Sequence, residues 1–293
     1  MKIAYKDPKN LRKDTKILLD NIIRILEDYE SQGYKLTLRQ LYYQLVSSDI
    51  LENKVQNYAK LSRILTDARL SGFVDWDIIE DRIRVPQIPS NWSSIQHLVN
   101  NATAQYRKDR HENQLQYVEV WVEKDALSGI LLPITNHYHI NLMVNRGYSS
   151  ITAMFNASQR LQSEIDKGKE CTILYLGDHD PSGLDMIRDI KDRMETFRIY
   201  DLEITQIALT QAQIKKYNPP PNPAKENDPR AKWYIEQFGN VSWELDALKP
   251  DVLNKLLQSE IESLVDMDLY NEVIEQEESE KEQLVQLAEE LSQ

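Results

Sequence analysis

From Tyr117 onward the chain alternates short β-branched and aromatic runs with amphipathic stretches, and this rhythm constrains the fold more than any other feature. Tyr117 to Val122 reads as a strand, followed by a helix that begins near Asp125 or Ala126. Ile140 to Val144 is a strand, Ser150 to Ile165 a helix, Thr172 to Leu176 a buried strand, Pro181 to Phe197 a helix, and Leu202 to Leu209 a strand. Single helices between closely spaced strands predict an α/β fold with a parallel or mostly parallel sheet. Open sheets of that kind carry their chemistry in loops at the carboxyl ends of the strands.

Before Tyr117 the period is helical. Residues 12 to 32 place Ile17, Leu18, Ile22, Ile23, Ile25 and Leu26 at helix spacing and stop near Gly33. Thr37 and Gln40 form a capping box for a second helix, whose apolar stripe runs through Leu38, Leu41, Tyr42 and Leu45 to about Ser48. A third helix spans about Gln56 to Ser71, with Leu61, Ile64, Leu65 and Ala68 inward and Lys60, Arg63 and Arg69 outward as candidate DNA contacts. Segments 74 to 77 and 81 to 85 read as a small hairpin. Three helices and a β-wing make a winged-helix pattern, a helix-turn-helix variant whose third helix usually enters the major groove. Residues 95 to 113 read as a helical connection, residues 250 to 264 and 266 to 291 as acidic helices. Asn218 to Pro229, with five of the eleven prolines, reads as a loop. The expected division is 1 to 94, winged helix; 95 to 115, connection; 116 to 249, α/β domain; and 250 to 293, C-terminal helices.

With 293 residues, 41% hydrophobic and 28% charged, the chain has material for about two domains, which excludes wholesale disorder. No apolar run is long enough for a bilayer, and the first ten residues hold no apolar segment of a secretory signal. A lone cysteine, Cys171, excludes a disulfide framework and a multi-thiolate zinc site, and fits a reducing cytoplasm. The net charge of -12 runs against the lysine and arginine that phosphate contacts require. Its distribution matters more than its sum. Residues 1 to 115 carry 18 basic and 15 acidic side chains, whereas 251 to 293 carry 2 and 13. Two readings fit that asymmetry: a DNA-binding head joined to a part that must avoid DNA, or a solubilising acidic tail.

Two clusters carry chemistry. Glu123 ends the first strand in Val120-Trp121-Val122-Glu123-Lys124-Asp125, and Asp178 and Asp180 follow the third in Gly177-Asp178-His179-Asp180-Pro181-Ser182-Gly183. In a parallel sheet both loops emerge at one edge, where three carboxylates repel unless a hard cation such as magnesium sits among them. The competing reading makes Asp180 the cap of a helix with Pro181 at its first position, and Asp178 a solvated loop acid. Gly177 suits a close backbone approach. His179 between the two aspartates is a spacer or a proton carrier, Asp185 a solvated helix acid, and Cys171 a core residue.

The second cluster is Arg39-Gln40-Leu41-Tyr42-Tyr43. Consecutive tyrosines on a helix diverge, so Tyr42 continues the apolar stripe and Tyr43 falls nearer the exposed flank, on the side of Arg39 four residues before it. One reading is a packing pair with a surface arginine. The other is a guanidinium that clamps a phosphate and favours the phenolate of a tyrosine nucleophile.

Arg39 to Tyr43, Val122 to Ala126 and Gly177 to Gly183 together resemble the A subunits of topoisomerase VI and their meiotic double-strand-break relatives, especially the shorter stand-alone versions called mini-A. Those proteins join a winged-helix domain with an Arg-x-x-Tyr-Tyr motif to a Toprim domain with a Val-Glu-Lys-Asp-Ala strand end and a Gly-Asp-x-Asp-Pro-x-Gly loop. Order and spacing agree across about residues 35 to 210. The resemblance implies a DNA transesterase in which Tyr43 attacks a backbone phosphorus and becomes joined to the 5′ end. Arg39 then holds the phosphate, and Glu123, Asp178 and Asp180 hold Mg2+. It further implies a homodimer on double-stranded DNA, with the tyrosine of one subunit meeting the acids of the other, nucleoid association, and a separate GHKL-type B subunit for ATP. A Toprim nuclease that hydrolyses DNA with water, and a non-enzymatic DNA-binding or assembly module with a degenerate metal site, are the rivals.

Overall fold

The structure, a computed structural model, describes residues 2–7, 11–79, 89–224, 228 and 230–290. Helices α1 (Lys13–Ser31), α2 (Leu38–Ser47) and α3 (Val55–Leu70) pack their apolar stripes together, burying Leu18, Ile22, Leu26, Leu41, Leu45, Leu61 and Leu65. The capping box is present in both directions: the Gln40 N–H donates to Thr37 Oγ1 at 3.3 Å, and the Thr37 N–H donates to Gln40 Oε1 at 2.8 Å. The first half of the expected hairpin forms no strand. Val74 and Ile78 are drawn into the helical core, Asp75 Oδ1 accepts the Asp77 N–H in a tight turn, and Ile79 makes only a single bridge to Leu36. The second half, with residues 80 to 88, lies outside the described residues.

The α/β expectation holds. Strands β1 (Gln116–Val122), β2 (Asn141–Val144), β3 (Glu170–Leu176) and β4 (Leu202–Ala208) form one parallel sheet in the order β2-β1-β3-β4. Alternation along the central strands feeds two cores. Val118, Val120, Val122, Leu174 and Leu176 face α5 (Ser128–His137), which a 3-10 turn at Asp125–Leu127 precedes, and α10 (Pro250–Leu264). Trp121, Cys171, Ile173 and Tyr175 face α6 (Ile151–Ile165) and α7 (Pro181–Thr196). Both faces are covered, as parallel sheets require. After β4 come α8 (Gln211–Tyr217), β5 (Asn222–Pro223), α9 (Ala231–Phe238) and β6 (Val241–Ser242), with β5 and β6 antiparallel, so the proline-rich segment includes a two-residue strand. A 3-10 turn at Leu245–Ala247 packs against α2. No helix among the described residues is long and apolar enough to cross a membrane.

The acidic C-terminal helices are not a loose tail. Leu253, Leu257 and Ile261 of α10 belong to the sheet core, and α11 (Met267–Glu290) lies along α4 (Ile95–Gln105) and the basic segment after it. Helix α4 ends before the expected residue 113 because Lys108 and Arg110 turn to Glu277: the Lys108 N–H donates at 3.1 Å, and Arg110 makes two bonds at 2.9 and 3.2 Å. Burial alone would push the Glu277 carboxyl up, but hydrogen bonds from Arg110 and Lys281 bring it down to about 2. Glu277→Ala leaves the Arg110 guanidinium buried without its partner and is expected to lower unfolding free energy by about 3 kcal/mol. Glu278→Ala, at an exposed position one residue on, should change it by under about 0.5 kcal/mol, both read by urea denaturation.

Candidate functional site

The register of β1 on β3 pairs Val122 with Leu176, so Glu123 and the Gly177-Asp178 turn leave the sheet side by side. The Glu123 N–H donates to the Leu176 carbonyl at 2.9 Å, and the Asp178 N–H donates to Glu123 Oε2 at 3.0 Å. Two glycines permit this turn. A Cβ on Gly177 would lie 2.5 Å from the Tyr175 ring, and a Cβ on Gly183 would lie 2.2 Å from the Asp178 carbonyl oxygen. Asp180 caps α7: its Oδ1 accepts the Gly183 N–H at 2.7 Å and the Ser182 hydroxyl at 2.8 Å, with Pro181 at the first helical position.

The cation at this edge is the chain's own Lys124. Its Nζ lies 2.8 Å from Asp178 Oδ2, 2.8 Å from Glu244 Oε2 and 3.3 Å from Asp246 Oδ2. Burial opposes its charge, yet Asp246, Asp178 and Glu244 together hold the lysine well above its usual range. Asp178 is itself pushed up by burial and by the neighbouring Glu123, against the pull of Lys124. Its second oxygen, Oδ1, accepts the Leu245 N–H at 2.8 Å. Among the described residues no group of three acidic, histidine or cysteine side chains is arranged to hold a metal ion. One oxygen of Glu123, one of Asp180 and both of Asp178 are engaged by backbone amides, by Ser182 and by Lys124, so the ammonium of Lys124 stands where the sequence suggests Mg2+.

Arg39 reaches the same place from α2. Its Nη2 lies 2.8 Å from Glu244 Oε2 and its Nε 3.1 Å from Asp246 Oδ2, while its guanidinium sits 5.8 Å from the centre of the Tyr43 ring. Arg39 and Tyr43 therefore share a side of the helix, as their spacing predicts. Tyr43 is not on an exposed flank, however. It is buried in the core that α2 shares with α1 and α3, with its ring edge-on to Tyr42 and only a small part open to the cavity it lines with Trp243 and Glu244. The expected push toward phenolate is reversed as well. Burial and the neighbouring Glu244 carboxylate hold the phenol above its usual range and outweigh Arg39 and Lys124. The tyrosine thus meets acids of its own chain, where the resemblance implied those of a second subunit.

Tyr42 is differently employed. Its hydroxyl accepts the Lys54 N–H at 2.8 Å and stands 3.1 Å from the Lys54 carbonyl, pinning the turn between α2 and α3. Tyr43, Asn53, Asp180, Asn222, Trp243 and Glu244 line an open cavity of about 250 Å3, and Arg39, Tyr42, Tyr43, Asn53, Val55 and Tyr58 line an adjoining one of about 290 Å3. His179 is structural: its backbone pairs with Trp243, and its ring stacks edge-on against Phe238 and bonds Tyr234. Of the outward basic residues of α3, Lys60 and Arg63 are exposed. Arg69 is packed over Trp76, 4.7 Å from its ring centre, and bonded to the Trp76 carbonyl. Asp185 pairs with Arg188 and with Arg230 at the start of α9 instead of standing in solvent. Cys171 is in the core, as expected.

Lys124 was legible as part of a motif but had no role assigned, and Glu244 and Asp246 carry no motif at all. Only their return over α2 reveals them. Glu244 also yields a pH prediction. Burial pushes its carboxyl up, but Lys124 and then Arg39 bring it down to about 2. A carboxyl depressed on folding contributes stability that is present above its unfolded value, near 4.3, and is lost as pH falls toward 2. Glu244→Gln should therefore be less stable than wild type at pH 7 by up to about 3 kcal/mol, with the difference closing between about pH 4.5 and 2 in chemical denaturation series.

Neither a scan of protein-family models nor a search of curated proteins returns a match to this sequence.

Proposed function

We propose that this chain is the DNA-cleaving subunit of a type IIB topoisomerase-like system, a winged-helix domain followed by a Toprim domain, which breaks duplex DNA by tyrosine transesterification. One observation carries the reading. Tyr43 lines an open cavity beside Asp180 at the carboxyl edge of a parallel sheet, near enough to Arg39 and Lys124 for both cations to favour its ionisation, while the Tyr42 hydroxyl is consumed by the turn after α2. A phenol beside two cations suits attack on a phosphodiester, because the cations offset charge that builds on the phosphoryl oxygens.

The phenolic oxygen forms a bond to phosphorus as the bond from phosphorus to the 3′ oxygen breaks. The phenol loses its proton and the 3′ oxygen leaves as a hydroxyl. The product is a 5′-phosphotyrosyl link that keeps the bond energy, so the reverse attack by the 3′ hydroxyl reseals the strand without ATP. A double-strand break needs two copies of Tyr43, hence a homodimer on the DNA of the nucleoid. ATP use falls to a GHKL-type B subunit. Lys60 and Arg63 on α3, both exposed, suit contacts to the DNA backbone.

The reading is tested by incubating the protein with supercoiled DNA and magnesium, alone and with a candidate B subunit, then denaturing with and without protease. Wild type and Tyr42→Phe are expected to leave protein on the 5′ ends of broken DNA, and Tyr43→Phe to leave none, a loss of at least about 1,000-fold. Free 5′ phosphates produced equally by Tyr43→Phe would instead identify a hydrolytic nuclease.

A further inference from the structure

Glu244 is surrounded in a way that a structural salt bridge does not require. Its Oε2 is held at 2.8 Å by Arg39 and at 2.8 Å by Lys124, its Oε1 lies 3.4 Å from the Asn222 amide, and Tyr43 lines the same cavity as this carboxylate. These four groups, three of them in contact with the carboxylate, come from α2, from the end of β1 and from β5, segments far apart in the chain. A guanidinium, an ammonium, a phenol and an amide converging on one monoanion with two terminal oxygens describe an anion site. A phosphodiester is also a monoanion with two terminal oxygens.

We propose that Arg39, Lys124, Tyr43 and Asn222 form the phosphodiester-binding site of this protein and that Glu244 occupies it as an internal stand-in, which a DNA phosphate displaces. The ligand class rests on the transesterase reading; the anion site rests on geometry alone. Glu244 is not needed to neutralise the two cations, since Asp246, with 0% of its side chain exposed, and Asp178 remain beside them. Glu244 by contrast keeps 23% of its side chain exposed and lines the open cavity of about 250 Å3, so an incoming anion reaches it from outside. The backbone on either side is pinned. Trp243 pairs with His179, and the Leu245 N–H donates to Asp178, so the exchange asks only for rotation of the Glu244 side chain. A carboxylate that must be expelled first taxes every DNA encounter by the fraction of time the site is open.

The test is the affinity of the full chain for a short fluorescein-labelled duplex, read by anisotropy in EDTA across a salt series. Glu244→Gln is expected to bind about tenfold tighter than wild type, with a salt slope steeper by about one. Glu236→Gln, which removes an equal charge from an exposed position on α9, is expected to leave affinity within about twofold of wild type. Adding Lys124→Gln to Glu244→Gln is expected to abolish the gain. The proposal is overturned if folded Glu244→Gln binds no tighter, if Glu236→Gln gains as much, or if the gain survives loss of Lys124. Should Glu244→Gln not fold, Glu244→Asp, which draws the charge back by one methylene, takes its place, with about threefold tighter binding expected and parity with wild type as the contrary result. A tighter Glu244 variant in a protein that never forms a DNA adduct counts against transesterification alone. An adduct without tighter binding counts against the stand-in alone.

Discussion

The buried ammonium of Lys124 is the interaction on which the site depends. It stands at the end of β1 among carboxylates from the β3 loop and from the segment that precedes α10, and two of those carboxylates also hold Arg39 of α2. Ions taken out of water cost several kcal/mol each and are tolerated only when their partners are well placed. The network therefore fixes four separate stretches of chain against one another, and it fixes them at the edge of the sheet where open α/β folds place their chemistry. Tyr43 is carried beside the network because it shares a helix face with Arg39.

Most of the architecture was legible because it depends on local period and punctuation. The capping box at Thr37, the alternation of Val118, Val120 and Val122, and Pro181 after the acids each announced an element within a residue or two of where it lies. What was not legible depends on the return of distant segments. Asp180 could be read as a helix cap from sequence, but the capture of Asp178 by Lys124 and by the Leu245 amide could not, because it needs the 244–246 segment to fold back over the sheet edge. Tyr43, expected on an open flank, is buried because the core shared by α1, α2 and α3 takes in both tyrosines and not only the stripe through Tyr42. The Trp243-Glu244-Leu245-Asp246 stretch resembles no motif, and its two acids acquire meaning only beside Arg39.

The uneven charge of the chain has a physical counterpart. The basic segment after α4 does not stay available to phosphate, since Arg110 and Lys108 are spent on Glu277 and Glu280 of α11. A carboxylate also fills the cationic place beside Tyr43. Both contacts pair basic side chains of the N-terminal half with acids from the C-terminal part of the same chain, so the uneven charge is partly balanced within the fold.

The most direct measurement of the central claim is the identity of the residue that becomes bonded to DNA. After cleavage, exhaustive nuclease digestion and trypsin treatment, mass spectrometry of the peptide from Gln40 to Lys54 separates Tyr42 from Tyr43 by its fragment ions. The account predicts a nucleotide adduct on Tyr43. An adduct on Tyr42, or DNA broken while this peptide stays unmodified, would contradict it.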